Sequence, residues 1–294
     1  MKTGFNKNAP SIYIFLDLIF SLSKEIGNQK LNAEIILIDD ASSKDFITIN
    51  EPLKEVVNQF IFLEKNIGRS SIRNLFLKYA SGDFLLFLDC DAKILSENFL
   101  KNYLQFIKEN KENKVVFGGF EVEKGTLTLR KKYSLEREIV PLEKRKLAPY
   151  SSFRGINFLV KKEILQQFPF DENLKNYGYE DLIFSKNLEL KKVEISHLEN
   201  PVLHGDEETT DVFLFKTKIA IQNLRKIHKN NPDFVRDMKL IKAYQKIKDK
   251  RLLSVYKNFF KISKSFLINK LHQENPNLRY FDLYKLGLFI EKHN

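Results

Sequence analysis

The chain has 294 residues, enough for one large domain or a domain with an appendage. Hydrophobic residues at 43% and charged residues at 30% exclude global disorder, and the single cysteine, Cys90, excludes an internal disulfide framework and a multi-cysteine zinc site. The net charge of +11 is concentrated late: residues 216–294 hold 19 Lys and Arg against 6 Asp and Glu, a net +13, so residues 1–215 carry a net −2.

The first apolar run, from Ser11 to Leu22, is interrupted by Asp17. It is too short for a membrane span and lacks a cleavage site, so no signal peptide is expected. Residues 35–38 (IILI) read as a strand ending in Asp39-Asp40, and residues 60–63 (FIFL) as a second ending near Asn66. Ser70 is placed to cap a helix through Tyr79, with Gly82 just past its end. The continuous run 84–88 (FLLFL) suits a strand covered on both faces and ends in Asp89-Cys90-Asp91. Further strands are expected at 115–118, 156–160 and 193–196, and helices at 97–109 and 161–167. Strands alternating with helices argue for an α/β layered fold. Beyond about residue 210 the apolar spacing becomes helical, through Val212, Phe215, Ile219, Leu224 and Ile227, and Asn231-Pro232 reads as a fresh helix start. The expected division is a catalytic-type α/β domain over 1–210 and a basic helical region over 211–294.

Chemistry concentrates at strand ends, where open α/β sheets bind ligands. Asp89 and Asp91 stand at i and i+2 on a chain leaving a buried strand. Paired without a counterion they repel, and a divalent cation removes the conflict; hard oxygen ligands suit Mg²⁺ or Mn²⁺, which also bridges a diphosphate. The bland alternative is a loop of solvated acids. Asp39 and Asp40 can accept hydrogen bonds from a base or ribose, or can equally serve as a helix N-cap. Asn66-Ile67-Gly68-Arg69, with Arg73 one turn in, can face an anion. Tyr177-Gly178-Tyr179 followed by Glu180-Asp181 suggests a wall for a flat ligand with two carboxylates at a helix start, although acids there also merely stabilise the helix. His204 follows Pro201 where the chain returns to the sheet; a lone histidine is commonly structural, and this one can complete a site with the earlier acids.

These pieces, taken in order, resemble glycosyltransferase family 2 and its nucleotide-sugar-binding GT-A fold. The matching segments are "EIILIDDAS", "NIGRSSIRN", "ASGDFLLFLDCDAKI", "NFLVKKEILQQFPFDENLKNYGYEDLIFSKNL" and "NPVLH". The later part also resembles the ED-containing region of galactosyltransferase-like and chondroitin-polymerase-like domains. The resemblance covers roughly residues 5–205.

It implies a mixed central sheet flanked by helices, and a metal-dependent inverting transfer from a UDP-sugar to a glycan or glycolipid hydroxyl. It also implies roles. Asp39 or Asp40 contacts the uracil or ribose, with Asn66 and Arg73 near the nucleotide or diphosphate. Asp89 and Asp91 hold ribose and metal, Asp91 the more direct ligand, and His204 is a third metal ligand. Asp181 is the general base, with Glu180 positioning a sugar. Mn²⁺ or Mg²⁺ is the expected cofactor. The family usually opens with a strand before a Y-N turn. Phe5-Asn6 resembles that turn, so the first strand is expected to be missing or shortened.

Two other classes remain beside this one: a degenerate nucleotide- or glycan-binding module, and a nucleotidyltransferase. A dehalogenase-type phosphatase fits poorly, because its motif belongs on the first strand and Lys93 stands where Thr or Val is expected. The tail's charge suggests contact with anionic membrane lipid at the inner face of a cytoplasmic membrane, or simply a solvated face; without a recognisable motif, nucleic acid is not an expected partner.

Overall fold

A computed structural model of the chain describes residues 11–174, 177–205 and 208–291. The chain begins with α1 (Ser11–Gln29), then β1 (Ile36–Asp39), α2 (Lys44–Asn50), a 3-10 turn (Glu51–Glu55), β2 (Gln59–Phe62) and α3 (Arg69–Tyr79). Next come β3 (Phe84–Leu88), β4 (Ala92–Ile94), α4 (Phe99–Glu109), β5 (Val115–Phe117) and β6 (Phe120–Val122). A run of short helices follows: α5 (Leu129–Tyr133), a π turn (Ser134–Glu138), α6 (Leu142–Leu147) and α7 (Pro149–Ser152). The sheet resumes with β7 (Asn157–Lys161), α8 (Lys162–Gln167), α9 (Glu180–Leu190), β8 (Ile195–His197) and β9 (Val202–His204). The remainder is helical: α10 (Thr210–Asn230), α11 (Pro232–Val235), α12 (Lys239–Asp249), α13 (Leu253–Leu271) and α14 (Leu278–Glu291).

The main sheet has the order β3-β7-β5-β8, with β7 antiparallel to both neighbours and β5 parallel to β8. A smaller sheet has the order β4-β9-β6, and β1 pairs in parallel with β2. The mixed sheets, flanked by helices and followed by a helical C-terminal part, bear out the expected fold class. The shortened first strand was expected over residues that lie outside the described ones.

Apolar alternation explains how β3 sits. Leu85 and Phe87 are buried, while Phe84, Leu86 and Leu88 are half-buried, so one face is fully covered and the other only partly. The expectation of full cover on both faces is corrected accordingly: Phe84, Leu86 and Leu88 pack against the core but at its margin, without being enclosed. Ser70 is also corrected. It lies inside α3 and is buried, and the cap position is held by Gly68 at φ 85°, a conformation only glycine adopts freely.

Two polar clamps orient the layers. Glu25 of α1 is buried and accepts from the backbone N–H groups of Leu100 and Lys101, each at 3.0 Å, satisfying orphan donors at the start of α4. Asn157, the first residue of β7, accepts from the Tyr103 hydroxyl at 2.8 Å and donates to the carbonyls of Gly119 and Asn200, each at 2.9 Å. That pins the small sheet against the large one. The apolar core falls into two clusters: one built on the sheets and α1, and one built on the C-terminal helices together with Leu129, Leu174 and Ile183.

Candidate active site

The β3 run terminates where Asp89 donates its N–H to the carbonyl of Ile156 at 2.9 Å, and the chain then turns, with Ala92 N–H bonded to the Asp89 carbonyl at 3.0 Å. The turn leads straight into β4, which pairs with β9 so that Ala92 stands opposite His204. That register puts His204 beside the two acids. Its Nε2 lies 3.4 Å from Asp91 Oδ1 and 3.8 Å from Asp89 Oδ2. One ligand atom from each of Asp89, Asp91 and His204 falls within 4.8 Å of the others. Two carboxylate oxygens and an imidazole nitrogen so grouped fit a divalent cation of the Mn²⁺ or Mg²⁺ kind.

The charges around the three donors pull in different directions. Burial pushes the Asp91 carboxyl up, and the neighbouring Asp89 charge adds to it despite the opposing His204. Burial acts on Asp89 in the same direction, but His204, Arg69 and Arg73 together outweigh it and hold this carboxyl below its ordinary value. Burial would lower His204, yet the two carboxylates raise it.

Behind Asp89 lies Arg73, only 8% exposed on the inner face of α3. Its Nη2 donates to the Gly155 carbonyl at 2.8 Å and stands 3.8 Å from Asp89 Oδ1. Its Nη1 approaches Glu180 Oε1 at 3.9 Å, and the guanidinium rests over the Phe170 ring, 5.0 Å from its centroid. Arg69, one turn earlier, reaches the same Glu180 oxygen at 3.7 Å and lies over the Tyr177 ring.

The second pair of acids opens α9. Tyr179 at φ 73° occupies the cap position, and Gly178 at φ 103° packs so tightly on α10 that an added Cβ would lie 2.7 Å from Ala220 Cβ. Glu180, 6% exposed, accepts from Gly178 N–H at 3.0 Å on the oxygen that does not face the arginines. Asp181 is half-buried; Oδ1 accepts from Leu182 N–H at 2.9 Å and Oδ2 takes a longer contact of 3.4 Å from Gly155 N–H. Glu180 is thus fully engaged within the protein, while Asp181 is the more accessible of the two.

The structure therefore brings Asp89, Asp91, His204, Arg73, Glu180 and Asp181 into one connected group. Asp39, Asp40 and Asn66 form another, at the end of β1. Asp39 Oδ1 accepts from Ser42 N–H at 2.7 Å. Asp40 accepts from Ile67 N–H at 2.7 Å and Gly68 N–H at 3.2 Å, and Asn66 donates to the Asp40 carbonyl at 3.0 Å. Asp40 and Asn66 clasp the loop that launches α3, and α3 carries Arg69 and Arg73 into the first group. Sequence reading missed Gly155 and Lys216. Lys216 lies over the Tyr177 ring at 5.3 Å and pairs with Glu208. The Arg154-Gly155 pair carries no motif signal, and Lys216 is one lysine among many.

The family model described as Glycosyl transferase family 2 matches residues 8–168. The minor teichoic acid biosynthesis protein GgaB of Bacillus subtilis is 33% identical over 153 residues, covering 49% of this chain and 16% of that protein. The cholesterol galactosyltransferase of Borreliella burgdorferi is 24% identical over 246 residues, covering 76% of this chain and 67% of that one. Among solved structures, the mannosyltransferase PcManGT of Pyrobaculum calidifontis, in complex with GDP-Man and Mn²⁺, superposes with a TM-score of 0.58 at 14% identity, over 98% of this chain and 83% of that one. At that identity the likeness is one of fold.

Proposed function

The chain belongs to glycosyl transferase family 2 and is a glycosyltransferase, and from that premise we propose that it moves a sugar from a UDP-sugar to a hydroxyl of a glycan or lipid-linked glycan, with inversion and with a divalent cation. The observation that carries this reading is the linkage of two acid pairs. Asp89 and Asp91 with His204 group three donor atoms that could hold a cation, and Arg73 and Gly155 tie that group to Glu180 and Asp181.

Asp89, Asp91 and His204 would hold Mn²⁺ or Mg²⁺, which supplies charge neutralisation for a departing diphosphate. Arg69 stands near enough to Asp89 and Glu180 to add a positive charge on that side. Asp39 is the better candidate for the uracil or ribose, because both Asp40 oxygens are occupied by backbone donors. The acceptor oxygen forms its bond to the anomeric carbon as the bond to UDP breaks, and Asp181 takes the hydroxyl proton. A carboxylate is a weak base, so its help comes as the hydroxyl attacks. Glu180, buried under two arginines, positions the helix start that carries Asp181. Residues 1–210 form the catalytic unit in this reading, and the basic helices of 211–294 sit against it and hold it at an anionic inner membrane face.

The test is a panel of UDP-sugars with glycan acceptors, scored for UDP release with and without Mn²⁺. Metal-dependent release that requires an acceptor is the expected result. Binding of UDP without turnover of any donor would instead support a nucleotide-binding module, and release of diphosphate would support a nucleotidyltransferase.

A further inference from the structure

Helix α13 has two apolar faces, and among the described residues one of them is left largely uncovered, its Phe266 touching the Tyr280 ring of α14 edge-on. Phe260, Leu267 and Leu271 are buried, and α14 approaches so closely that a Cβ at Gly287 would lie 2.1 Å from the Phe260 ring. On another side Leu252, Val255, Phe259, Ile262 and Phe266 recur at steps of three and four residues, which places them on one continuous stripe. All five are between 44% and 84% exposed. Isolated exposed apolar residues are ordinary, but an ordered ridge of five marks a surface that meets something apolar.

Exposed apolar side chains recur on the next element that α13 meets. His272 Nε2 meets Asp211 Oδ1 at 2.9 Å, joining the end of α13 to the first turn of α10. There Val212 and Phe215 are again exposed. Phe215 precedes Lys216, which lies over Tyr177 beside the Glu180-Asp181 pair. Val212 and Phe215 thus place exposed apolar side chains next to the lysine that covers Tyr177, near the Glu180-Asp181 pair.

The charge around the ridge selects its occupant. Residues 250–273 contain six Lys and Arg and no Asp or Glu. Lys264 reaches Glu291 at 3.5 Å, and the other five make no ion pair among the described residues. Pairing this helix with a second copy of itself would set two all-positive segments against each other without an acid on either. An apolar ridge on a purely basic helix instead matches the acyl-headgroup boundary of an anionic bilayer.

We propose that the α13 ridge, together with Val212 and Phe215, inserts into the surface of an anionic membrane and so presents the Glu180-Asp181 side of the site to lipid-borne glycans. The lipid-borne acceptor rests on the glycosyltransferase reading above. The insertion does not, and it is scored without any donor sugar, so failure of one is distinguishable from failure of the other.

The chain has no tryptophan, so Ile262→Trp in the full chain is a lone reporter. It is added to phosphatidylcholine vesicles, with and without about one third phosphatidylglycerol. Expected are a blue-shifted emission on the anionic vesicles alone, and quenching by brominated acyl chains. The triple variant Val255→Ser/Phe259→Ser/Ile262→Ser, checked by its melting curve, is expected to partition at least about tenfold more weakly and to lose whatever binding survives high salt. Unshifted emission on anionic vesicles would overturn the proposal, even if charge alone still sediments the protein with them. So would a dimer in sedimentation equilibrium that the triple variant dissociates, because the ridge would then be a self-association face.

Discussion

Arg73 and Gly155, 82 positions apart in sequence, meet through a 2.8 Å hydrogen bond from the guanidinium to the glycine carbonyl. The same glycine contacts Asp181 through its N–H at 3.4 Å, so one peptide segment touches the arginine beside the metal-type acids and the carboxylate proposed as base. No side chain fits there while Arg73 keeps its place: a Cβ at Gly155 would lie 2.7 Å from Arg73 Nη2.

Gly155→Ala should therefore move the guanidinium end of Arg73 without breaking the fold, since the clash is with the far end of a long side chain. Sugar transfer is expected to fall at least about tenfold, because small misplacements of reacting groups are costly, while the melting temperature shifts only modestly. Circular dichroism and acceptor-dependent UDP release measure the two. Undiminished transfer would remove Gly155 from the positioning machinery.

Asp91→Asn should weaken Mn²⁺ binding and abolish metal-dependent transfer in a folded protein, since it removes an anionic oxygen from a three-donor set. His204→Ala should do the same to a lesser degree, by about tenfold or more in metal affinity. Titration calorimetry with Mn²⁺ in the presence of UDP checks both. Wild-type metal affinity in Asp91→Asn would take that residue out of the ligand set.

The strand-end acids were legible because a five-residue apolar run, Phe84–Leu88, announces a buried strand and Asp89 directly follows it. The small sheet was mostly not legible. Its strands have three residues each, Ala92–Ile94, Phe120–Val122 and Val202–His204, too short for a period of two to stand out. Yet that sheet is what places His204 opposite Ala92. Asp39 and Asp40 could not be separated by sequence either, because what occupies Asp40 is the backbone of Ile67 and Gly68, 27 and 28 positions away. Ser70 had the right chemistry for a cap, but the chain entered α3 two residues earlier through Gly68.

Asp181→Asn should leave donor binding intact and lower transfer by about 10²–10⁴-fold, the usual worth of general-base help. Both contacts of its carboxylate are with backbone N–H groups, Leu182 and Gly155, and the amide retains an oxygen for one of them, so the fold should survive. Single-turnover transfer with a saturating donor is the measurement. A loss smaller than about tenfold would mean that another group takes the proton.

His197 gives a pH prediction away from the site. It ends β8, is buried edge-on against Phe117, and its Nε2–H donates to the Pro149 carbonyl at 3.1 Å. Burial, aided by the Arg145 charge, pushes its pKa down to about 4. The ordinary value is 6.5, so between these two values the unfolded chain binds a proton that the folded chain refuses. Stability contributed by the neutral ring is therefore complete above about pH 6.5 and drains away as pH falls towards 4, reaching a loss of about 2 kcal/mol near pH 5. Carboxylates also titrate in this range, so the comparison is with His197→Gln, which keeps a donor but has nothing to titrate. Urea unfolding between pH 7.5 and pH 5 should show a smaller acid-side loss in the variant, by about one proton's worth of slope, whatever its starting stability. Parallel pH profiles for the two proteins would show that His197 is protonated as readily in the folded chain as in the unfolded one.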